Sequence, residues 1–142
     1  MPPRLSNRLA EVVDALPLEP HMKVLEIGCG PGAAARAVAA RLTAGSILAI
    51  DRSATAIGRA EAAGAEEIAA GRLRVRQVAI EDFVPGPDEG PFDLVFAVRV
   101  GALDGRHPEA GHQAMFRIAA ALAPGGRLFL DGGDPLREVP TR

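Results

Sequence analysis

A glycine-rich loop directly after a short β-prone run is the first feature of this sequence that can support chemistry. Residues 23–27 have the composition of a strand, and Gly28, Gly30 and Gly32 follow at once. Because glycine lacks a Cβ atom, such a loop turns tightly and its backbone can approach a ligand closely. The loop leads into a helix-prone segment whose free N–H groups would face the same ligand. Gly28-x-Gly30-x-x-Ala33 also satisfies the dinucleotide fingerprint, so the loop alone does not select a cofactor class.

Two carboxylates near this loop narrow the choice of ligand. Asp51 ends the second predicted strand and lies 23 residues after Gly28. A carboxylate at this position can accept hydrogen bonds from both ribose hydroxyls. Its alternative role is to open the turn before Ser53. Glu26 stands two positions before the first glycine, and its charge would repel a pyrophosphate a few ångströms away. Glu26 therefore favours a cationic ligand over a dinucleotide.

No residue is assigned a catalytic role from the sequence. Cys29 has no histidine near it in sequence, so we interpret it as a small loop residue and not as a nucleophile. His107 and His112 flank the start of a predicted helix, where a histidine can accept a proton or can simply be exposed or cap the helix. Arg99 can pair with an acidic substrate or can be an ordinary surface arginine. No metal site is predicted.

Five β-prone segments alternate with helical segments and must position these residues. The predicted strands are 23–27, 46–50, 72–79, 92–98 and 127–131, and the predicted helices are 5–16, 33–42, 53–70 and about 108–122. Ser53 is expected to cap the third helix, with Gly58 and Gly64 as the places where that helix can break. The alternation indicates an α/β domain with a parallel sheet, whose ligand lies at the carboxyl ends of the strands.

Two of the predicted strands have distinct patterns of exposure. Arg72, Arg74 and Arg76 alternate with apolar residues, which is typical of a strand with one wet face. We expect this strand at an edge of the sheet, where the charges prevent edge-to-edge pairing; contact with nucleic acid is the less favoured reading. Residues 92–98 are apolar nearly throughout, which places that strand in the middle of the sheet.

Length and composition exclude several classes of protein. The 142 residues are 48% hydrophobic and 24% charged with a net charge of −2, which fits one globular domain and not a disordered chain or a dedicated nucleic-acid binder. A single cysteine excludes an internal disulfide, and no apolar run approaches the roughly 18 residues of a membrane span. We therefore expect a cytoplasmic protein without a nucleic-acid or membrane partner. The expected domain divides into an N-terminal helix and linker at 1–20, a core at 21–131 and a tail at 132–142.

Four sequence segments resemble the signatures of one enzyme family. V-L-E-I-G-C-G-P-G at 24–32 closely resembles the first signature of the class I S-adenosylmethionine-dependent methyltransferases. A-I-D at 49–51, F-D-L-V-F-A-V at 92–98 and L-A-P-G-G-R-L-F-L at 122–130 follow in family order. The resemblance spans about residues 20–131 and implies an enzyme that transfers a methyl group from S-adenosylmethionine. D-R-S-A-T-A-I at 51–57 and F-A-V-R-V at 96–100 also resemble a bacterial branch that acts on small molecules. The family resemblance also implies a Rossmann-like, doubly wound sheet with strand order 3-2-1-4-5 and helices on both faces.

The resemblance further implies how the methionine part of the cofactor is bound. Gly28, Cys29 and Gly30 would pass along it, and Glu26 would help hold the loop and the amino end. The carbonyl group of Ala97, at the end of the fourth strand, would face the ammonium group.

The adenosine part is implied to lie over the second and third strands. Asp51 would bind the ribose hydroxyls, with Arg52 beside the adenine. Many relatives carry an acidic residue for the adenine amine where this chain has Ala79, which is a departure from the family. Ile80 could still offer its backbone N–H, and Glu81 could supply the missing carboxylate.

The charges of the loops agree with a cationic ligand. The sulfonium cofactor carries a net positive charge, and Glu26, Asp51, Glu81 and Asp82 make the expected pocket negative. Asp82 is the second residue that could supply the carboxylate for the adenine. Alignment of the acceptor with the methyl carbon would then supply most of the catalysis.

The end of the chain departs from the family pattern. Members usually continue past the fifth strand with a helix and two more strands, so this chain is interpreted as a shortened member or as a fragment of a longer protein. Leu128, Phe129 and Leu130 would then form an uncovered edge strand, and we expect a homo-oligomer or a partner strand there.

Two other functions stay open. The first is a methyltransferase-like domain that binds the cofactor or a partner protein without turnover. The second is a nicotinamide-dependent oxidoreductase, since the glycine loop and Asp51 suit either cofactor.

Overall fold

Residues 4–141 are described by the structure, a computed structural model. The strands are β1 (Lys23–Ile27), β2 (Ser46–Asp51), β3 (Leu73–Gln77), β4 (Phe92–Ala97), β5 (Leu122–Asp131) and β6 (Leu136–Val139). The helices are α1 (Asn7–Ala15), α2 (Ala33–Arg41), α3 (Ala54–Ala63), α4 (Ala65–Ala69) and α5 (Pro108–Ala121). Single 3-10 turns lie at Ile80–Asp82 and Gly101–Leu103.

All six strands form one sheet, in the order β3-β2-β1-β4-β5-β6. Strands β1 to β5 run parallel, and β6 is antiparallel to β5. The predicted Rossmann-like α/β fold with strand order 3-2-1-4-5 is therefore confirmed. The order reverses between β1 and β4, where Ile27 is level with both Ile50 and Ala97. The loops after β1, β2 and β4 consequently leave the same edge of the sheet.

The expected open edge at residues 128–130 is wrong. Leu128 pairs with Val139 and Leu130 with Arg137, so β6 covers β5. The segment that we expected to be a tail therefore supplies a strand, and the argument for a homo-oligomer through β5 loses its basis. Gly132, with φ of +100°, helps the chain reverse, and Arg127 donates two hydrogen bonds to Glu138 across the strands at 2.9 and 2.7 Å. A four-residue strand of this kind shows too little periodicity to be recognised in sequence.

The other strand positions agree with their exposure patterns. The arginine-rich strand β3 lies at one edge of the sheet, and the apolar strand β4 lies between β1 and β5, as predicted. Each face of the sheet has its own buried cluster: Val24 belongs to the cluster with α1, α2 and α3, and Leu25 to the cluster with α5. Because side chains alternate along a strand, Glu26 is directed to the same face as Val24.

The third predicted helix breaks at one of the two expected places. α3 ends before Gly64, and α4 follows directly. A Cβ atom at Gly64 would lie 2.6 Å from Cδ2 of Leu73, so close packing against β3 favours glycine there. Ser53 caps α3 as predicted, since its hydroxyl accepts a hydrogen bond from the N–H of Ala56 at 3.1 Å. None of the helices within residues 4–141 has the length and apolar character needed to cross a membrane.

Replacing the cap residue should destabilise the fold by a predictable amount. Ser53→Ala removes the acceptor for the N–H of Ala56, and we expect the free energy of unfolding to fall by about 1 kcal/mol. Thr43→Ala, which removes a hydroxyl from an exposed loop residue, should change it by less than about 0.5 kcal/mol. Urea denaturation followed by circular dichroism measures both changes. Equal losses in the two variants would show that the cap contributes nothing specific.

Candidate active site

The loop after β1 and the end of β2 meet at one edge of the sheet. The N–H groups of Gly28 and Cys29 donate to the carbonyl oxygen of Ile50, at 2.8 and 3.0 Å. The N–H of Gly30 donates to Oδ2 of Asp51 at 2.9 Å. The ribose-type carboxylate and the glycine loop that the sequence predicts are thus in direct contact.

The glycines of the loop adopt backbone conformations that other residues rarely adopt. Gly28, Gly30 and Gly32 have φ values of +72°, +54° and +90°. A Cβ atom at Gly28 would lie 2.8 Å from a methyl carbon of Val100, whereas a Cβ atom at Gly30 would have no atom of a residue other than its chain neighbours within 4 Å. The backbone at Gly30 therefore borders open space, where a ligand can approach it.

Asp51 borders the first of three cavities at this edge. Its other oxygen, Oδ1, accepts a hydrogen bond from the N–H of Ser53 at 2.9 Å, so both carboxylate oxygens are oriented by backbone donors. The cavity, called here the Asp51 cavity, has a volume of about 430 Å³. Among the residues around it are Gly28, Asp51, Arg52, Ala79, Ile80, Glu81, Arg99, Val100 and His107.

Glu81, an acidic residue that follows β3, also borders the Asp51 cavity. Oε2 of Glu81 pairs with Nη2 of Arg52 at 3.0 Å, and its backbone carbonyl accepts hydrogen bonds from Gln113 and Arg117, each at 3.3 Å. Asp82 is exposed and does not border the cavity. Of the two residues expected to replace the acidic group absent at position 79, only Glu81 lies at the site.

Glu26 is a buried carboxyl group at the second cavity. The residue is 3% exposed, and Oε1 has no hydrogen-bond partner among the described residues. Burial, with a smaller contribution from the charge of Asp51, raises the pKa of Glu26 to about 8. Buried polar atoms normally have a partner, so an unpaired carboxyl oxygen beside a cavity fits a ligand that carries a cationic donor.

Helix α1 helps to enclose this second cavity, called here the Glu26 cavity, which has a volume of about 620 Å³. It is bordered by Glu26, the glycine loop, Val98 and Arg99, and by Arg8 and Leu9 of α1 with its N-cap residue Ser6. Nη2 of Arg8 also pairs with Oδ2 of Asp131 at 3.3 Å, which ties α1 to the end of β5. The sequence pattern predicts the helix but contains no signal that its residues reach the site.

A third cavity lies beyond β4. Ala97, expected at the ammonium group, is buried at the end of β4 and borders this cavity of about 420 Å³. Val98, the next residue, borders the Glu26 cavity. Val100 borders both the Asp51 cavity and the third cavity, and Arg99 borders all three.

Cys29 is packed inside the loop. Its side chain is buried, and Sγ lies 3.5 Å from the carbonyl oxygen of Gly30. Burial, followed by the negative charges of Glu26 and Asp51, raises the pKa of the Cys29 thiol to about 12. The thiol therefore stays protonated, which agrees with a small loop residue and not with a nucleophile.

The thiol should consequently resist alkylation while the chain is folded. At pH 8, a pKa raised from 9 to about 12 lowers the thiolate fraction roughly a thousandfold, so iodoacetamide should label native Cys29 at least a hundredfold more slowly than the urea-unfolded chain. Mass spectrometry of time points measures both rates. Equal rates in the two states would contradict the buried, protonated thiol.

The histidines do not supply an evident base. His107 borders the Asp51 cavity but is exposed at the start of α5, and His112 is exposed away from the three cavities. Within residues 4–141, no group of three His, Cys, Asp or Glu side chains is arranged to hold a metal ion. The site thus consists of backbone donors, the carboxyl groups of Glu26 and Asp51, and the two cavities that Gly28 borders.

The fold is a Rossmann-like domain whose candidate site, at the carboxyl ends of the parallel strands, contains Glu26 and Asp51. A family model described as a methyltransferase domain matches residues 24–126, which is most of the chain. The chain therefore belongs to the class I S-adenosylmethionine-dependent methyltransferases.

Curated relatives from bacteria carry methyltransferase names. A trans-aconitate 2-methyltransferase of Delftia acidovorans is 29% identical over 133 residues, which cover 94% of this chain and 46% of that protein. A protein-L-isoaspartate O-methyltransferase of Methylorubrum populi is 38% identical over 128 residues, which cover 89% of this chain and 52% of that protein. The chain thus spans about half the length of these relatives.

Solved structures share the fold. The cyclase SpnF superposes with a TM-score of 0.69 at 28% identity, covering 87% of this chain and 43% of that protein. Coclaurine N-methyltransferase, solved with N-methylheliamine and S-adenosylhomocysteine, superposes with a TM-score of 0.70 at 18% identity, covering 86% of this chain and 34% of that enzyme. At that identity the second likeness shows the fold alone.

Proposed function

We propose that this chain binds S-adenosylmethionine and transfers its methyl group to a small-molecule acceptor. The observation that carries the proposal is the buried, unpaired Oε1 of Glu26, a residue that borders a cavity together with the glycine loop whose Gly30 contacts Asp51. A cationic amino acid group would supply the partner that Glu26 lacks. A pyrophosphate in the same place would face a carboxyl group instead, which disfavours a nicotinamide dinucleotide.

The roles of the individual residues follow from the two cavities around Gly28. In the Glu26 cavity, Glu26 would receive the ammonium group while the backbone of Cys29 and Gly30 passes along the methionine part. Val98 borders the same cavity. The carbonyl group of Ala97 is the second acceptor expected for the ammonium group. Ala97 itself borders the third cavity, which is also lined by residues of β5, and not the Glu26 cavity.

In the Asp51 cavity, the carboxylate of Asp51 would accept hydrogen bonds from the ribose hydroxyls, since each of its oxygens keeps a further lone pair. Ala79 and Ile80 would lie against the adenine, with the N–H of Ile80 as a donor. The ion pair between Arg52 and Glu81 borders the same space and would cover the ring edge.

The cofactor supplies an electrophilic methyl group when bound, so the chain itself needs to bind, orient and exclude water. Positioning of the two reactants can contribute roughly 7 to 11 kcal/mol of the barrier in well-oriented systems. No covalent enzyme intermediate is involved, which agrees with the protonated thiol of Cys29.

The names of the relatives bear on the acceptor. Trans-aconitate and protein L-isoaspartate, which appear in those names, are both carboxylic acids. We therefore extend the proposal to a small acidic acceptor, which Arg99, just after β4 at the carboxyl ends of the strands, would contact.

A second function is favoured by one neighbour. SpnF is described as a cyclase, and its sequence is more similar to this chain, at 28% identity, than that of coclaurine N-methyltransferase, at 18%. A methyltransferase-like domain that binds the cofactor without methyl transfer is thus the alternative.

Thermal stability with added ligands tests the proposal. S-adenosylhomocysteine at about 100 times its Kd should stabilise the chain by about 2.7 kcal/mol, and NADH at the same concentration should leave the melting temperature unchanged. Stabilisation by NADH alone would overturn the proposal. Binding of S-adenosylhomocysteine without methyl transfer to any of a panel of organic acids, amines and phenols would favour the alternative.

A further inference from the structure

The third cavity is bordered by three arginines from separate parts of the chain. Arg99 follows β4, Arg106 lies in the loop before α5, and Arg137 belongs to β6. All three side chains are exposed to solvent, and the cavity, called here the arginine cavity, has a volume of about 420 Å³. Its size and its residues suit a small, negatively charged molecule.

The two carboxylates beside this cavity do not neutralise it. Asp131 accepts a hydrogen bond from the N–H of Arg99 at 3.1 Å and pairs with Arg8. Asp104 accepts from the N–H of Arg106 at 3.0 Å and pairs with Nε of the same residue at 2.6 Å. Three guanidinium groups against two carboxylates leave a formal charge of +1 (three minus two).

Arg99 and Arg137 form no ion pair with a described residue. The guanidinium group presents a planar set of donors that matches a carboxylate, so two such groups at one cavity favour a ligand with more than one carboxylate.

The backbone of Arg99 is held in an unusual conformation that places it between the cavities. Its φ of +57° is uncommon for a residue other than glycine, and Asp131 fixes its N–H. Arg99 borders the Asp51 cavity, the Glu26 cavity and the arginine cavity. An anion bound by Arg99 would therefore lie next to the space assigned to the cofactor.

We propose that the arginine cavity is the acceptor subsite and that it binds the carboxylate groups of a small di- or tricarboxylic acid. This inference rests on the proposed function, which it deepens by naming the acceptor class. Among these three cavities, Glu26, Asp51 and Glu81 border only those assigned to the cofactor. Arg106 and Arg137 border only the arginine cavity, and Arg99 borders all three. The cofactor and the acidic acceptor would thus be bound in neighbouring cavities that share Arg99.

Isothermal titration calorimetry with propane-1,2,3-tricarboxylate tests this inference on the full chain saturated with S-adenosylhomocysteine. Propane-1,2,3-tricarboxamide is the neutral control ligand of similar shape. Arg99→Gln and Arg137→Gln should each raise the Kd of the tricarboxylate by about three- to tenfold, and raising the salt concentration should weaken binding further. Arg59→Gln removes the same charge from an exposed position on α3 and should leave the Kd unchanged.

Each result decides between the two proposals. Binding of the tricarboxylate, lost in the two variants and absent for the amide, supports the arginine subsite. No binding, equal effects of Arg59→Gln, or preferred binding of inorganic phosphate would overturn it. If S-adenosylhomocysteine itself does not bind, the proposed function fails, and the same titration without that ligand still shows whether the cavity binds carboxylates.

Discussion

Asp51→Ala should abolish measurable cofactor binding at ordinary protein concentrations. The substitution removes the carboxylate that accepts a hydrogen bond from Gly30 and would accept those of the ribose. A hydrogen bond to a charged group contributes about 1.5 to 3 kcal/mol, so losing two of them should raise the Kd of S-adenosylhomocysteine at least about a hundredfold. Isothermal titration calorimetry measures the loss.

Two further variants separate binding from folding. Asp51→Asn keeps one carbonyl oxygen and should lose less affinity than Asp51→Ala. Asp88→Ala removes a carboxylate at the opposite edge of the sheet, beside Lys23 and Ser46, and should keep the parental Kd. Circular dichroism establishes that each variant is folded. A folded Asp51→Ala variant with unchanged affinity would remove Asp51 from the cofactor site.

Cofactor affinity should also depend strongly on pH through Glu26. The pKa of about 8 means that Glu26 is mostly protonated at pH 7 in the free chain, and a bound cationic group would favour its ionised form. Binding would then release a proton, so the affinity for S-adenosylhomocysteine should rise by up to about tenfold per pH unit between pH 5.5 and 7.5. Glu26→Gln, which cannot ionise, should show a flat profile.

The same pKa shift determines how stability depends on pH. The pKa of Glu26 is higher in the folded chain, about 8, than its ordinary value of 4.5, so the folded state binds more protons between these values. The contribution of Glu26 is therefore fully present below about pH 4.5 and is lost as pH rises towards 8. Glu26→Gln should raise the free energy of unfolding at pH 7.5 by up to several kcal/mol while weakening cofactor binding.

The control for Glu26 is Glu61→Gln, at an exposed position on α3. That variant should retain the pH dependence of both binding and stability. If the parental chain shows no pH dependence of affinity between pH 5.5 and 7.5, proton release from Glu26 is excluded.

Much of the fold follows from local patterns in the sequence. The apolar run at 92–98 predicted a central strand, and the alternating arginines at 72–76 predicted an edge strand, because exposure along a strand repeats every two residues. Ser53 predicted a helix start because a side-chain cap satisfies a backbone donor three residues away. The contact between the glycine loop and Asp51 could be predicted because the carboxyl ends of parallel strands lie at one edge of the sheet.

The tertiary structure decided which residues share a cavity. Three features bring together segments that are distant in sequence or too short to show a period. Glu26 and α1 border one cavity, β6 pairs with β5, and the arginine cavity is bordered by Arg99, Arg106 and Arg137. A hydrophobic pattern indicates only which face of one helix or strand is buried, because its period is that of the helix or strand itself. Contacts between elements depend on how whole surfaces pack, and no local repeat encodes that packing.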